Sequence, residues 1–417
     1  YYHDIGDYLS REEKLSLLQK STSIEGVKWT SIVPDRNNDW INQRDDKYEE
    51  YPSILGDVFY RKQDGIQSNR DSWVYNFSSS AVKVNAERMI DNYNFEVQRL
   101  SSKFSEEKIA LLNTDEGYVS WSRSLKNKLI SNKVIEKMGN DAVVKSMYYP
   151  FVKKHLYYNR DILEYPRKFD ESLASGNMMI SVSGAGTKKG FSAFITDTPP
   201  NYNMLDKGRH FELHNFIDKN ALFNEKSNLN ENFETSLSLK GFDAFAYIYG
   251  ILHSKEYREK YQNNLIKDLP NIPVVKQAYK ISEIGKKLID LHLNYETVEP
   301  STDVVIECHE NSSYKVKKMK HPRKGILDKI VFNANITITN IPEKAYEYVV
   351  NGRPAIEWII DQYQEKTDAK SGIVDDPNSY SDDERYIFEL LLRVINVSVQ
   401  TVDLVNSLPP LEIIDIG

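Results

Sequence analysis

Apolar residues recur at helical spacing in several stretches of this chain and at alternate positions in others. Residues 10–20 read as a short helix, with Ser10 as cap and Glu13 three residues later in capping-box spacing. A longer helix is predicted from about residue 83 to 100. Phe242, Phe245, Tyr249 and Leu252 share one helical face, and Tyr257, Tyr261 and Leu265 another, so two helices are expected over 242–265. Further helices are predicted over 275–293, 355–365 and 384–406, the last ended by Pro409 and Pro410. Alternation at Met178, Ile180 and Val182 breaks at "GAGTKKG" and resumes as "FSAFIT", which reads as two strands with Lys188 and Lys189 at the tip between them. "IVFNANITIT" is the clearest strand pattern, placing Phe332, Ala334, Ile336 and Ile338 on one face. Between these elements "VPDRNNDWINQRDDKYEEYPSILGD" is charged and irregular and reads as a junction. The expectation is an α+β fold of mixed helices and short antiparallel sheets.

Composition narrows the function classes. With 417 residues, 40% apolar and 12% aromatic, the chain can bury a real core in two or three structural units. Lys and Arg number 54 against 61 Asp and Glu, a net charge of -7, so any nucleic-acid footprint has to be local. A single cysteine, Cys308, excludes an internal disulfide and a multi-cysteine zinc site and fits a cytoplasmic protein. No apolar run reaches membrane-span length. The chain opens on "YYHDIGDYLSREEKL", whose first residues read as a strand already under way, as expected of a fragment of something longer.

Candidate chemistry is sparse. "KSMYYPFVKKHLYYNRDILEYPRKF", residues 145–169, sets seven aromatic rings and six Lys/Arg against two acids, Asp161 and Glu164. Such interleaving suits a surface lying on phosphates or unstacked bases, and equally a sheet or helix edge with core tyrosines and solvated lysines. "DTPPNYN" lacks the Asn-Pro-Pro-aromatic order of an amino-methyltransferase loop and reads as a turn. In "HFELH" the Glu stands one place too late for a zinc-protease helix. "SGAG" lacks the spacing of a phosphate loop and serves a hairpin instead. Asp35, Asp45 and Lys47 have the letters of a metal-dependent nuclease cluster, without evident strands to carry them. "KVKKMKHPRKG" is a basic run, most simply a solvated face. No nucleophile with its base and no cofactor loop stands out, so the chain reads as a binding or specificity module.

Several long stretches, in order, resemble the C-terminal part of the type ISP restriction-modification enzymes. They include "YYHDIGDYLSREEKL", "GIQSNRDSWVYNFS", "SWSRSLK", "YYPFVKKHLYY", "DAFAYIYGILHSKEYREKY" and "YEYVVNGRPAIEWIIDQYQEKTDAKSGIVDDPN". These enzymes join a nuclease, an ATP-driven translocase, an adenine methyltransferase and a target-recognition domain in one polypeptide. The resemblance implies the end of a methyltransferase domain and a junction over 1–62, a target-recognition domain over 63–300, and a strand-plus-helix C-terminal part over 301–417. Where the family often has Arg before the proline of "YYPF", Tyr149 precedes Pro150, leaving Lys153, Lys154 and Arg160 as the cations there.

The expected function is sequence-specific recognition of double-stranded DNA in a bacterial restriction-modification enzyme of phage defence, with base edges read in the major groove. Arg70, Arg123, Lys153, Lys154 and Arg160 are the expected phosphate contacts, and Ser68, Asn69, Lys188 and Lys189 the expected closer ones. No cofactor is expected in this chain; S-adenosylmethionine, ATP and magnesium would serve the upstream methyltransferase and translocase domains of the same polypeptide. A monomer without membrane contact is expected. The alternatives from other classes are a small nuclease built on Asp35, Asp45 and Lys47, and an interdomain scaffold that touches no DNA.

Overall fold

The computed structural model describes residues 1–6, 9–169, 176–216, 225–309 and 312–414. It divides into two compact units, Tyr1–Glu50 and Tyr51–Gly417. In the first, the helix Arg11–Lys20 starts as its capping box dictates: Glu13 N–H donates to Ser10 Oγ (3.2 Å) and Ser10 N–H to Glu13 Oε2 (2.7 Å). None of its residues is buried. Among the described opening residues Tyr2 forms an isolated antiparallel bridge with Thr30 rather than part of a strand.

The second unit is built on small antiparallel sheets. One has the order β1 (Tyr75–Asn76), β3 (Val152–Tyr157), β2 (Val143–Tyr149). The helix Ser79–Arg99 packs on it, capped by Ser78 Oγ accepting Ala81 N–H, four residues earlier than the apolar spacing suggests. Its Val82, Ala86, Met89, Ile90 and Tyr93 join Leu156 and Tyr157 in one apolar cluster. Phe151 and Val152, at the start of β3, feed a second cluster, completed by Trp358 and Ile359 of the helix Ala355–Gln362 and Leu391 of the helix Tyr386–Asn406. Covered on both faces, β3 buries nearly every residue, cations included.

A second sheet has the order β5 (Ala193–Thr196), β4 (Met179–Val182), β6 (Arg209–Glu212). The expected β4–β5 pair forms, with Val182 opposite Ala193 and, on the other side, Arg209. Behind it the helices Phe242–His253 and Ala278–Leu293 cross at a glycine contact so close that a Cβ on Gly285 would lie 1.9 Å from Ala246 O. The stretch 254–267 gives two short helices, Lys255–Lys260 and Gln262–Lys267, where one was expected.

The run 330–339 is not a single strand. Ile330–Val331 and Ile336–Thr339 pair with each other, because Asn333 Oδ1 accepts the N–H groups of Asn335 and Ile336 (2.9 Å each) and folds the chain back. Val305–Cys308 completes that sheet. Among the described residues no helix is long and apolar enough to cross a membrane.

Candidate nucleic-acid interface

Residues 61–71, "RKQDGIQSNRD", have little regular structure yet are held along their length. Gln63 exchanges both backbone hydrogen bonds with His210 of β6 (2.7 and 2.9 Å). Ile66 N–H donates to Pro200 O, and Tyr202 N–H to Ile66 O, both at 2.8 Å. Gln67 and Tyr165 exchange another pair, at 3.2 and 2.9 Å. Gly65 passes so near Asn201 and Tyr202 that a Cβ there would sit 2.7 Å from their backbone atoms, which excludes any side chain.

This ribbon forms the wall of an open cleft of about 530 Å³, lined also by Arg160, Tyr165, Pro166, Arg167, Lys168 and Glu212. Asp64 is its hub. The carboxylate lies 3.2 Å from Lys62 Nζ, 3.4 Å from an Arg209 nitrogen and 3.5 Å from Arg167 Nη2. Burial alone would raise its pKa, but the Lys62 hydrogen bond and the three cationic charges outweigh that and hold it below the usual value. Gln63 Nε2 donates to Glu212 Oε2 at 2.8 Å and to Lys168 O at 3.3 Å. Tyr165 is 50% exposed, and the Arg167 guanidinium stands 5.2 Å from its ring centroid. Arg61 and Lys168 are exposed and have no ion-pair partner among the described residues. Six cations, Arg61, Lys62, Arg160, Arg167, Lys168 and Arg209, thus gather around two carboxylates in a chain of net charge -7.

Beyond Gly65 the ribbon borders a smaller hollow of about 230 Å³ lined by Gln67, Ser68, Asn69, Arg70 and Asn201–Asn203. Its lining is rich in carboxamides. Gln67 Nε2 donates to Asn69 Oδ1 (2.8 Å), and Asn69, exposed, adopts φ +56°.

The nine residues singled out in the sequence fall into two groups. Ser68, Arg70, Lys153 and Lys154 are buried. Ser68 Oγ bonds to Asp71 Oδ1. Arg70 donates to Ser120 O and Ser122 Oγ (3.2 and 2.5 Å), and burial pushes its pKa down to about 10, with Glu164 and Asp71 opposing. Lys153 pairs with Glu296 at 2.8 Å, and Lys154 with Asp375 at 2.5 Å between the rings of Phe77 and Tyr148. Asn69, Arg123, Arg160, Lys188 and Lys189 are exposed. Asn69 and Arg160 line the two hollows, and Arg123 begins the helix Arg123–Ile130 beside Ser122, the residue that holds Arg70. Lys188 and Lys189 sit on the loop 183–192, which leaves its sheet at the end where Arg209 begins β6; Asp206 Oδ2 anchors it by accepting Lys188 N–H (2.8 Å) and Thr187 Oγ1 (2.9 Å).

Of the seven rings in 145–169, Tyr165 is the exposed one; Phe151, Tyr157, Tyr158 and Phe169 are core. The sequence offers Tyr165, Arg167 and Lys168 only as members of the ring-and-cation stretch 145–169, and does not single out Arg61, Lys62, Gln63, Asp64 or Arg209. For Arg61 and Lys62 the local signal is a basic pair beside Tyr60.

The nuclease alternative finds no support. Asp35 Oδ1 accepts the N–H groups of Asn37 and Asp39 (2.9 Å each) in a turn, and Asp45 caps Lys47 N–H in the same way. Among the described residues no group of three or more His, Cys, Asp or Glu could hold a metal ion.

Proteins that act on DNA share this architecture. A nuclease-deletion mutant of the Type ISP restriction-modification enzyme LlaGI, solved in complex with a DNA substrate mimic, matches 99% of the chain with a TM-score of 0.90 and 44% identity. The ATP-dependent Type ISP restriction-modification enzyme LlaBIII, bound to DNA, matches 99% with a TM-score of 0.86 and 39% identity. A cryoEM structure of a DrdV–DNA complex matches 99% with a TM-score of 0.83 at 24% identity, a likeness of fold. The chain spans 39%, 28% and 43% of those three chains. No curated protein sequence matches. The family model of the Type ISP C-terminal specificity domain matches residues 57–390, and the chain belongs to that family.

Proposed function

We propose that this chain recognises a specific sequence in double-stranded DNA on behalf of a Type ISP restriction-modification enzyme in the bacterial cytoplasm. It would place that DNA for adenine methylation and ATP-dependent restriction by other domains of the same polypeptide, where S-adenosylmethionine, ATP and magnesium would act. The observation that carries the reading is the cation-rim cleft around Asp64, continuous along one ribbon with a carboxamide-lined hollow, in a protein otherwise acidic. Cations neutralise phosphates and fix register, while carboxamides present donors and acceptors to base edges.

On this reading Arg61, Arg160 and Lys168 contact phosphates, Asn69 approaches the bases, and Arg123, Lys188 and Lys189 extend the footprint. Ser68, Arg70, Lys153 and Lys154 support the scaffold from within. Exchanging residues 51–417 for the equivalent unit of a relative, within a complete enzyme, tests the proposal. The methylated motif should travel with the exchanged unit, and a motif that stays with the remainder of the enzyme would refute it.

A further inference from the structure

We propose that Arg167 reads a guanine in the major groove, with Asp64 as its positioning residue; this rests on the DNA-recognition reading above. Two cations beside Asp64 have a direction imposed on them, Arg209, bound to Lys207 O and Gly208 O, and Arg167, and of the two Arg167 lines the cleft. Its Nη2 lies 3.5 Å from Asp64 Oδ2, its Nε donates to Gly65 O at 3.5 Å, and its Cζ stands 5.2 Å from the Tyr165 ring centroid. Carboxylate, carbonyl and ring together fix the plane of the guanidinium. Its backbone is also left-handed, φ +63°, a conformation that strains any residue with a Cβ and that persists where the surroundings over-determine it, most often at functional sites. The side chain is 30% exposed, so the held group still lines the cleft.

A phosphate needs no such arrangement. It accepts from any direction, and the exposed Arg61 and Lys168 on the same rim, without an ion-pair partner among the described residues, suit it. A guanidinium fixed in plane matches two parallel acceptors, which a phosphate also offers and which in the major groove are guanine O6 and N7. The carboxylate of Asp64 also disfavours a phosphate in direct contact with Arg167, while leaving neutral acceptors welcome. The strained backbone is then the cost of aiming the fork.

The test uses the complete enzyme and measures its affinity for the cognate duplex, for duplexes with one base pair replaced, and for duplexes carrying 7-deazaguanine in place of each guanine in turn. Arg167→Lys keeps the charge and removes the fork. It should keep non-cognate affinity within about twofold and lose roughly 10- to 100-fold of discrimination at one G·C pair. The wild-type enzyme should lose affinity with 7-deazaguanine at that same position, and Arg167→Lys should lose nothing more there. Asp64→Asn should relax the same position partly. The assignment is overturned by a motif without guanine, by wild-type indifference to every 7-deazaguanine, by an unchanged Arg167→Lys profile, or by a loss uniform across sequences. Should the unit exchange carry the motif while Arg167→Lys is silent, only the role of Arg167 falls; should the motif stay behind, the recognition reading itself falls.

Discussion

Lys153 Nζ donates to Glu296 Oε2 across 2.8 Å, with 8% of the lysine side chain and 19% of the glutamate side chain reaching solvent. Tyr386 OH donates to the other carboxylate oxygen at 2.6 Å. Lys153→Ala leaves Glu296 buried without its nearest counter-charge and should cost about 3–5 kcal/mol in urea unfolding, whereas Glu296→Ala leaves Lys153 with Asp197, 3.8 Å away, and should cost less. Lys153→Met with Glu296→Leu should recover most of that loss. Burial raises the Glu296 pKa, but the Lys153 charge and hydrogen bond prevail and hold it below its ordinary 4.5. The pair's contribution is therefore present above pH 4.5 and lost as pH falls through the lower folded value.

His210 and His292 predict a second pH dependence, at milder acidity. Burial pushes both down to about 3, in His210 against the attraction of Asp64 and in His292 with the repulsion of Arg258 added. Below about pH 6.5 the unfolded chain binds protons that the folded one refuses, so stability falls as pH falls, by about 1.4 kcal/mol per unit for each histidine. Unfolding free energy should drop by about 4 kcal/mol for the pair between pH 7 and pH 5. A flat profile over that window would show that these imidazoles are not kept neutral by the fold.

Gly65 joins stability to function. A methyl group there meets backbone of Asn201 and Tyr202 at 2.7 Å, atoms that cannot rotate away, so Gly65→Ala must move the ribbon. Overpacking of this kind costs roughly 1–3 kcal/mol, and the displaced ribbon should weaken DNA binding beyond what the lost stability explains. Melting temperature and duplex affinity measured on the same preparation separate the two effects.

Local rules made the helices legible. Ser10 with Glu13 set the start of one, and the apolar face of 386–406 set another. They misjudged 330–339 because the side chain of Asn333 turns the chain within an alternating pattern. The burial of Lys153 and Lys154 was illegible for a different reason: rings interleaved with cations mark a surface only where the segment meets water, and β3 is covered on both faces. The cleft was illegible because residues 61–64 and 209–212 are unremarkable alone, and only the pairing of the ribbon with β6 and Tyr165 brings them together with 165–168 of the ring-and-cation stretch.

The claim that the Asp64 cleft faces the DNA backbone is tested most directly by the salt dependence of duplex binding. Each phosphate contact contributes a slope of about 0.9 in log affinity against log salt concentration. In the complete enzyme, Arg61→Ala with Lys168→Ala should make that slope shallower by about 2 and weaken cognate and non-cognate duplexes alike. An unchanged slope and affinity, in a variant that melts at the wild-type temperature, would contradict the account and place the DNA elsewhere.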